Sequence, residues 1–335
     1  MGRRRLLLCG LLGAALAGCG GGDDGAQPIA TPVFPPRAAE PATAPQPSEE
    51  PAGSVVEVGG RPEGMVYDPE TGLVAVGITE PPQLALVDGR DGRVVKRVPL
   101  AAAPRHLQLA GPGGPVLVPA ESSDELIEVS LPGGDTQATR VGDQPHDAAA
   151  LGDRYFVADE FSSTVTAVED GRVVGESTVD AQPGGIVATG DKVALISVLA
   201  FTIELFDPQT LEGEGSRNAG LGPTHAVADR DGRIYITDTR GNAVIVYATR
   251  PRLKWVGRIE LPGSPYGITV DEADRRVWVT LTGRNEVVGL QGGDQPEELQ
   301  RLPTVRQPNT VAVDPESGRV FVASRSDGTL QLIDP

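Results

Sequence analysis

From residue 54 onward, apolar residues fall in short alternating runs separated by polar turns, with no stretch of helical period. The segment after Pro223 shows the grammar. His225-Ala-Val-Ala alternates, Asp229-Arg-Asp-Gly232 turns, Ile234-Tyr-Ile-Thr alternates again, Arg240-Gly-Asn242 turns, and Val244-Ile-Val-Tyr makes a third run. Lys254 to Leu261 supplies a fourth. Period-two alternation marks strands with one face buried, and Gly, Asn and Asp clusters mark the hairpin turns between them. The same unit recurs, each time opened by a small or polar residue and a proline: Arg61-Pro62, Ala103-Pro104, Gln144-Pro145, Gln182-Pro183, Gly222-Pro223, Ser264-Pro265 and Gln307-Pro308. The prolines are 42, 41, 38, 40, 42 and 43 residues apart. A period near 40 with four strands per unit is that of a propeller blade. The pattern predicts an all-β, seven-bladed β-propeller of four-stranded blades over residues 54–335.

The last unit stops at Pro335 after its third strand, and Ser54-Val-Val-Glu-Val58 precedes the first anchor with no unit of its own. An unpaired strand edge at the ring seam would be a liability. The N-terminal strand is therefore expected to complete the last blade and close the ring.

Residues 1–18 read differently. Arg3, Arg4 and Arg5 precede the apolar run Leu6 to Ala17, too short to span a bilayer but suited to a secretory signal. Leu16-Ala17-Gly18-Cys19 resembles the lipobox of bacterial lipoproteins. The resemblance implies cleavage before Cys19 and a diacylglyceryl group on its thiol. Residues 19–53 then form a lipidated, disordered tether, with eight prolines and seven alanines between Gly20 and Gly53. The two cysteines of the chain leave no thiol for a disulfide or metal cluster in the folded part. The net charge of -17 argues against nucleic acid as a partner and against purely electrostatic membrane binding. A monomer held to an extracytoplasmic membrane by its lipid alone is expected.

In such a ring, the residues after each anchor proline circle one mouth of the central channel. They are Glu63-Gly64, Arg105-His106, His146-Asp147, Gly184-Gly185, Thr224-His225, Tyr266-Gly267 and Asn309-Thr310, and they include all three histidines of the chain. Strand alternation turns His106, Asp147 and His225 to one side and sets His146 off by one residue. The turns after the second strands bring Glu121, Asp159, Glu160 and Asp238 to the same face. Neutral imidazoles and carboxylates are ligands for a divalent cation, the one cofactor the pattern suggests. His106, Asp147 and His225, with His146, Glu63 and Asn309, are candidate ligands, and Glu121 and Glu160 are candidate bases. The alternative is that these polar groups simply hydrogen-bond the channel rim. In blade four, Val198, Leu199 and Phe201 replace the usual polar turn, and an exposed apolar tip there would be a partner contact.

The recurring P-x-x-apolar, D-x-x-G and apolar-x-apolar-apolar-D pattern resembles YVTN-type (YncE-like) propellers over about residues 54–335. It is also similar to NHL repeats, streptogramin lyases and the gluconolactonase group. The lyase resemblance implies mouth histidines and acids with magnesium, and His146 with Glu160 is similar in placement. The gluconolactonase resemblance implies a divalent cation near Glu63, Asn309 and Asp147. One fold hosts many activities. The expected function is a lipid-anchored binding or scaffold module for an envelope protein, a peptide or a small ligand. The alternative is a metal-dependent lyase or lactonase at the channel mouth.

Overall fold

The computed structural model describes residues 37–335, so the expected signal sequence, Cys19 and the expected tether up to residue 36 lie outside the described residues. The strands form seven separate four-stranded antiparallel sheets, the seven blades of a ring. Blade five is typical: an inner strand Pro223–Ala228, then Arg233–Asp238, Ala243–Ala248 and the outer strand Lys254–Glu260. Blade seven runs Pro308–Val313, Val320–Ser324 and Thr329–Ile333, and its outer strand is Ser54–Glu57 from the other end of the chain. The closing register pairs Ser54 with Leu332 and Glu57 with Thr329. Val58, fully buried, enters the core between blades seven and one. Gln331 is also fully buried and donates through Nε2 to the carbonyls of Ala52 (2.6 Å) and Pro303 (3.1 Å), locking the seam.

Each of the seven junctions between neighbouring blades carries its own apolar cluster. Stability is therefore spread around the ring, as in other repeat architectures, and every blade depends on both neighbours. Among the described residues no helix is long and apolar enough to cross a membrane.

The anchor prolines have a structural role. The residue before them is left-handed in Arg61, Gln144, Gln182, Ser264 and Gln307, with φ between 52° and 62°. Just after the proline the inner strand slips register against its neighbour in blades one, three, four, five, six and seven. Such a bulge suspends simple alternation, so consecutive side chains can both turn toward the channel.

Two expectations need correction. Residues 37–53 are not a disordered tether but a strap laid over the mouth face of blades five to seven. Arg240 Nη2 donates to the carbonyls of Arg37 (2.8 Å) and Ala38 (3.1 Å). The Ala42 N–H donates to Ser264 Oγ (3.1 Å), the Ala44 N–H donates to Gln307 Oε1 (2.8 Å), and Asn285 Nδ2 donates to the Pro45 carbonyl (3.0 Å). A proline-rich segment makes few hydrogen bonds of its own, and side chains of the ring supply them. The closing strand already fixes one end of the strap, which lowers the entropy lost on docking. The second correction concerns blade four. Val198 and Phe201 are buried and Leu199 half-buried, so there is no exposed apolar tip. Val198 fills the space left by Gly184, where an added Cβ would lie 2.7 Å from Val198 Cγ1. Phe201 lies beneath the Arg240 guanidinium, 5.5 Å from its ring centre.

Candidate functional site

In blades two to five the first residue after the anchor proline faces the first residue after the second strand of its blade. In blade five the pair is Thr224 and Thr239, hydroxyl to hydroxyl at 2.7 Å. In blade four it is Gly184 against Val198. Blades two and three put charge in these positions. Arg105 Nε meets Glu121 Oε1 at 2.9 Å, and His146 Nδ1 meets Glu160 Oε2 at 2.7 Å. The two pairs touch: His146 Nδ1 is 3.7 Å from Glu121 Oε1, and Arg105 Nη2 is 3.5 Å from His146 Nε2. Glu63, in the same register of blade one, instead reaches across the ring seam to Arg325 of blade seven. Asn309 Oδ1 accepts from Gln307 Nε2 at 3.1 Å.

One residue deeper lies a second ring of Gly64, His106, Asp147, Gly185, His225, Gly267 and Thr310. Its glycines let adjacent inner strands approach closely: an added Cβ at Gly267 would lie 2.6 Å from the Asn309 carbonyl oxygen. At Gly64 the demand is strict: φ is +78°, and a Cβ would sit 2.1 Å from the Arg105 carbonyl oxygen. His106 Nε2 and His225 Nε2 are 2.6 Å apart, and His225 Nδ1 is 2.9 Å from the Tyr266 carbonyl oxygen. The His146 ring packs edge-on against His106 at 4.7 Å, so the three histidines form one stack despite the offset in sequence. Asp147 accepts from the N–H groups of Ala148 (2.9 Å) and Ile186 (3.1 Å) and thereby ties blade three to blade four.

Burial governs the electrostatics. It holds all three imidazoles well below their ordinary range, and the neighbouring cationic groups push the same way. The histidines are thus neutral. Burial raises the Glu121 and Glu160 carboxyls, with Arg105 opposing it. Asp147 is pushed up from 3.8 to about 7 by burial, against the pull of its two backbone N–H donors. A raised carboxyl favours folding below its unfolded value and loses that contribution as pH rises toward the folded one. Between about pH 4 and 7, wild type should therefore lose about 1.4 kcal/mol per pH unit relative to Asp147→Asn. Urea unfolding of both proteins at pH 5 and pH 7 measures this, and a gap that does not move with pH would contradict it.

The described residues contain one group whose ligand atoms converge, Glu121, His146 and Glu160, all within 4.8 Å of one another. Two carboxylates and an imidazole are a donor set suited to a divalent cation such as Mn²⁺. His106, His225 and Asp147 do not converge in this way. The two Nε2 atoms meet each other, while Asp147 Oδ2 faces His106 Nδ1 on the opposite side of the ring at 3.8 Å. Glu63 and Asn309 line the same channel but are already engaged with Arg325 and Gln307. Sequence reasoning passed over Arg105 and Arg325 as site residues, although both stand in the two registers that face each other. It also passed over Phe161, an exposed aromatic next to Glu160.

No family model and no curated protein matches the chain. Solved structures do. A chain of hydrazine synthase from Kuenenia stuttgartiensis aligns at TM-score 0.72 and 17% identity, covering 82% of this chain and 95% of that one. Virginiamycin B lyase from Staphylococcus aureus aligns at TM-score 0.70 and 16% identity, over 84% and 98%. A chain of a mitotic checkpoint complex aligns at TM-score 0.73 and 9% identity, over 89% and 98%. At these identities the likeness is one of fold.

Proposed function

We propose that this chain is an extracytoplasmic lipoprotein, anchored through Cys19, whose propeller binds a protein, peptide or small ligand at its strapped mouth. One observation carries the reading. Blade three has His146 and Glu160 where blade five has Thr224 and Thr239, so a neutral hydroxyl pair satisfies the architecture. Buried charge in excess of what a fold requires marks functional sites. Arg105, Glu121 and Glu160 offer a ligand both signs of charge, and Phe161 offers an exposed ring at the rim. A photo-crosslinking residue at position 161 in intact cells tests this. Adducts should form in the membrane fraction and vanish with His146→Ala plus Glu160→Ala, and Cys19→Ser should shift the protein to the soluble fraction. Adducts indifferent to the mouth substitutions would refute the site.

The convergence of Glu121, His146 and Glu160 favours a second reading, a divalent-cation-dependent lyase or lactonase. A cation held there would supply Lewis-acid polarisation beside Arg105. Calorimetric titration with Mn²⁺ distinguishes the readings. Stoichiometric heat abolished by Glu121→Gln favours the enzyme, and absence of heat removes it.

A further inference from the structure

Below the histidine layer the channel changes character. A cavity of about 60 Å³ lies against His106, Asp147 and His225. It continues, past Met65, Leu107, Val227, Ile268 and Val311, into a space of about 260 Å³ at the face opposite the strap. The upper end is plugged by the His106–His225 contact. Among the described residues lining these two spaces there is no lysine or arginine, while Glu63, Asp147 and Glu272 are all present.

The protons of the plug can be assigned. A carbonyl oxygen only accepts, so His225 Nδ1 carries a hydrogen and donates it to Tyr266. In a neutral imidazole Nε2 is then a bare lone pair, and the hydrogen in the 2.6 Å contact belongs to His106 Nε2. His106 Nδ1 is therefore also a bare lone pair. It is buried, has no hydrogen-bond partner, and faces Asp147 Oδ2 across 3.8 Å. Asp147 is itself buried, and both its oxygens receive backbone N–H groups from the other side. Once Asp147 is ionised, above about pH 7, two buried acceptors thus confront each other at the closed end of the channel, and a donor between them is missing.

We propose that this lower channel is a binding site for a small primary ammonium compound with a short apolar body. The ligand enters from the face opposite the strap, and its N–H groups bridge His106 Nδ1 and Asp147 Oδ2. The acceptor pair and the lack of a lysine or arginine on the walls select a cation, and the walls select an alkyl or similar body. The site lies below the mouth cluster, touching it through the His106–His146 contact, and does not depend on its function. n-Butylammonium chloride, 1-butanol and sodium butyrate probe it by calorimetry and NMR titration of the whole protein at pH 8. Saturable binding is expected for butylammonium, about tenfold or more weaker for butanol, and absent for butyrate. Asp147→Asn should abolish the preference for the cation. Val227→Phe, which narrows the channel without touching the acceptor pair, should weaken butylammonium at least about tenfold. Equal affinity for the cation and the anion, no saturation by butylammonium, or indifference to Val227→Phe would overturn the proposal.

Discussion

Removing residues 54–59 is expected to destabilise the protein by about 5 kcal/mol and to lower its thermal midpoint by about 10 °C or more. Burying Val58 contributes about 2 kcal/mol. The paired strand Ser54–Glu57 contributes hydrogen bonds along the whole length of Thr329–Leu332, each worth about 1 kcal/mol net. Its loss also bares the edge of Thr329–Ile333, a strand that is buried throughout in the closed ring. An exposed edge of that kind recruits other chains, so the shortened protein should also self-associate on heating. Calorimetric scanning at several protein concentrations reads both effects. An unchanged midpoint would show that blade seven does not need its N-terminal strand.

Arg325→Ala should have a comparable effect at the same seam. Glu63 is 3% exposed, and Arg325 reaches it from the neighbouring blade. Removing the cation leaves a buried carboxylate without a partner, which costs about 3–5 kcal/mol. Glu63→Gln in the same chain should recover most of that loss, because the charge needing a partner is gone. Chemical unfolding of the two single variants and the double variant forms the cycle that isolates the pair. A double variant no more stable than Arg325→Ala would mean that the guanidinium acts through packing rather than charge.

The ring was legible because its signal repeats. Seven X-Pro anchors at near-constant spacing survive any single irregular blade, and the orphan strand at residue 54 had one unfilled place to go. Local rules failed where partners are remote in sequence. Glu63 and Arg325 are neighbours only after the ring closes. Val198 looked like an exposed apolar tip because its reason, the space above Gly184, lies on the preceding strand. His146 looked misaligned because alternation was carried through a bulge that shifts the register between Pro145 and Asp147. The strap looked disordered on composition, which counts side chains and not backbone groups. Its partners Arg240, Ser264, Asn285 and Gln307 lie 203 to 263 residues away in sequence from the strap residues they bind.

The central claim is that the charged mouth exceeds what the propeller needs and serves binding. Replacing His146 and Glu160 together by threonine gives blade three the hydroxyl pair that blade five already uses. Function sites are commonly held at a cost in stability. The thermal midpoint of His146→Thr/Glu160→Thr should equal or exceed that of wild type. A fall of more than about 5 °C, roughly 2 kcal/mol in a domain of this size, would show that the pair braces the ring and would contradict the account.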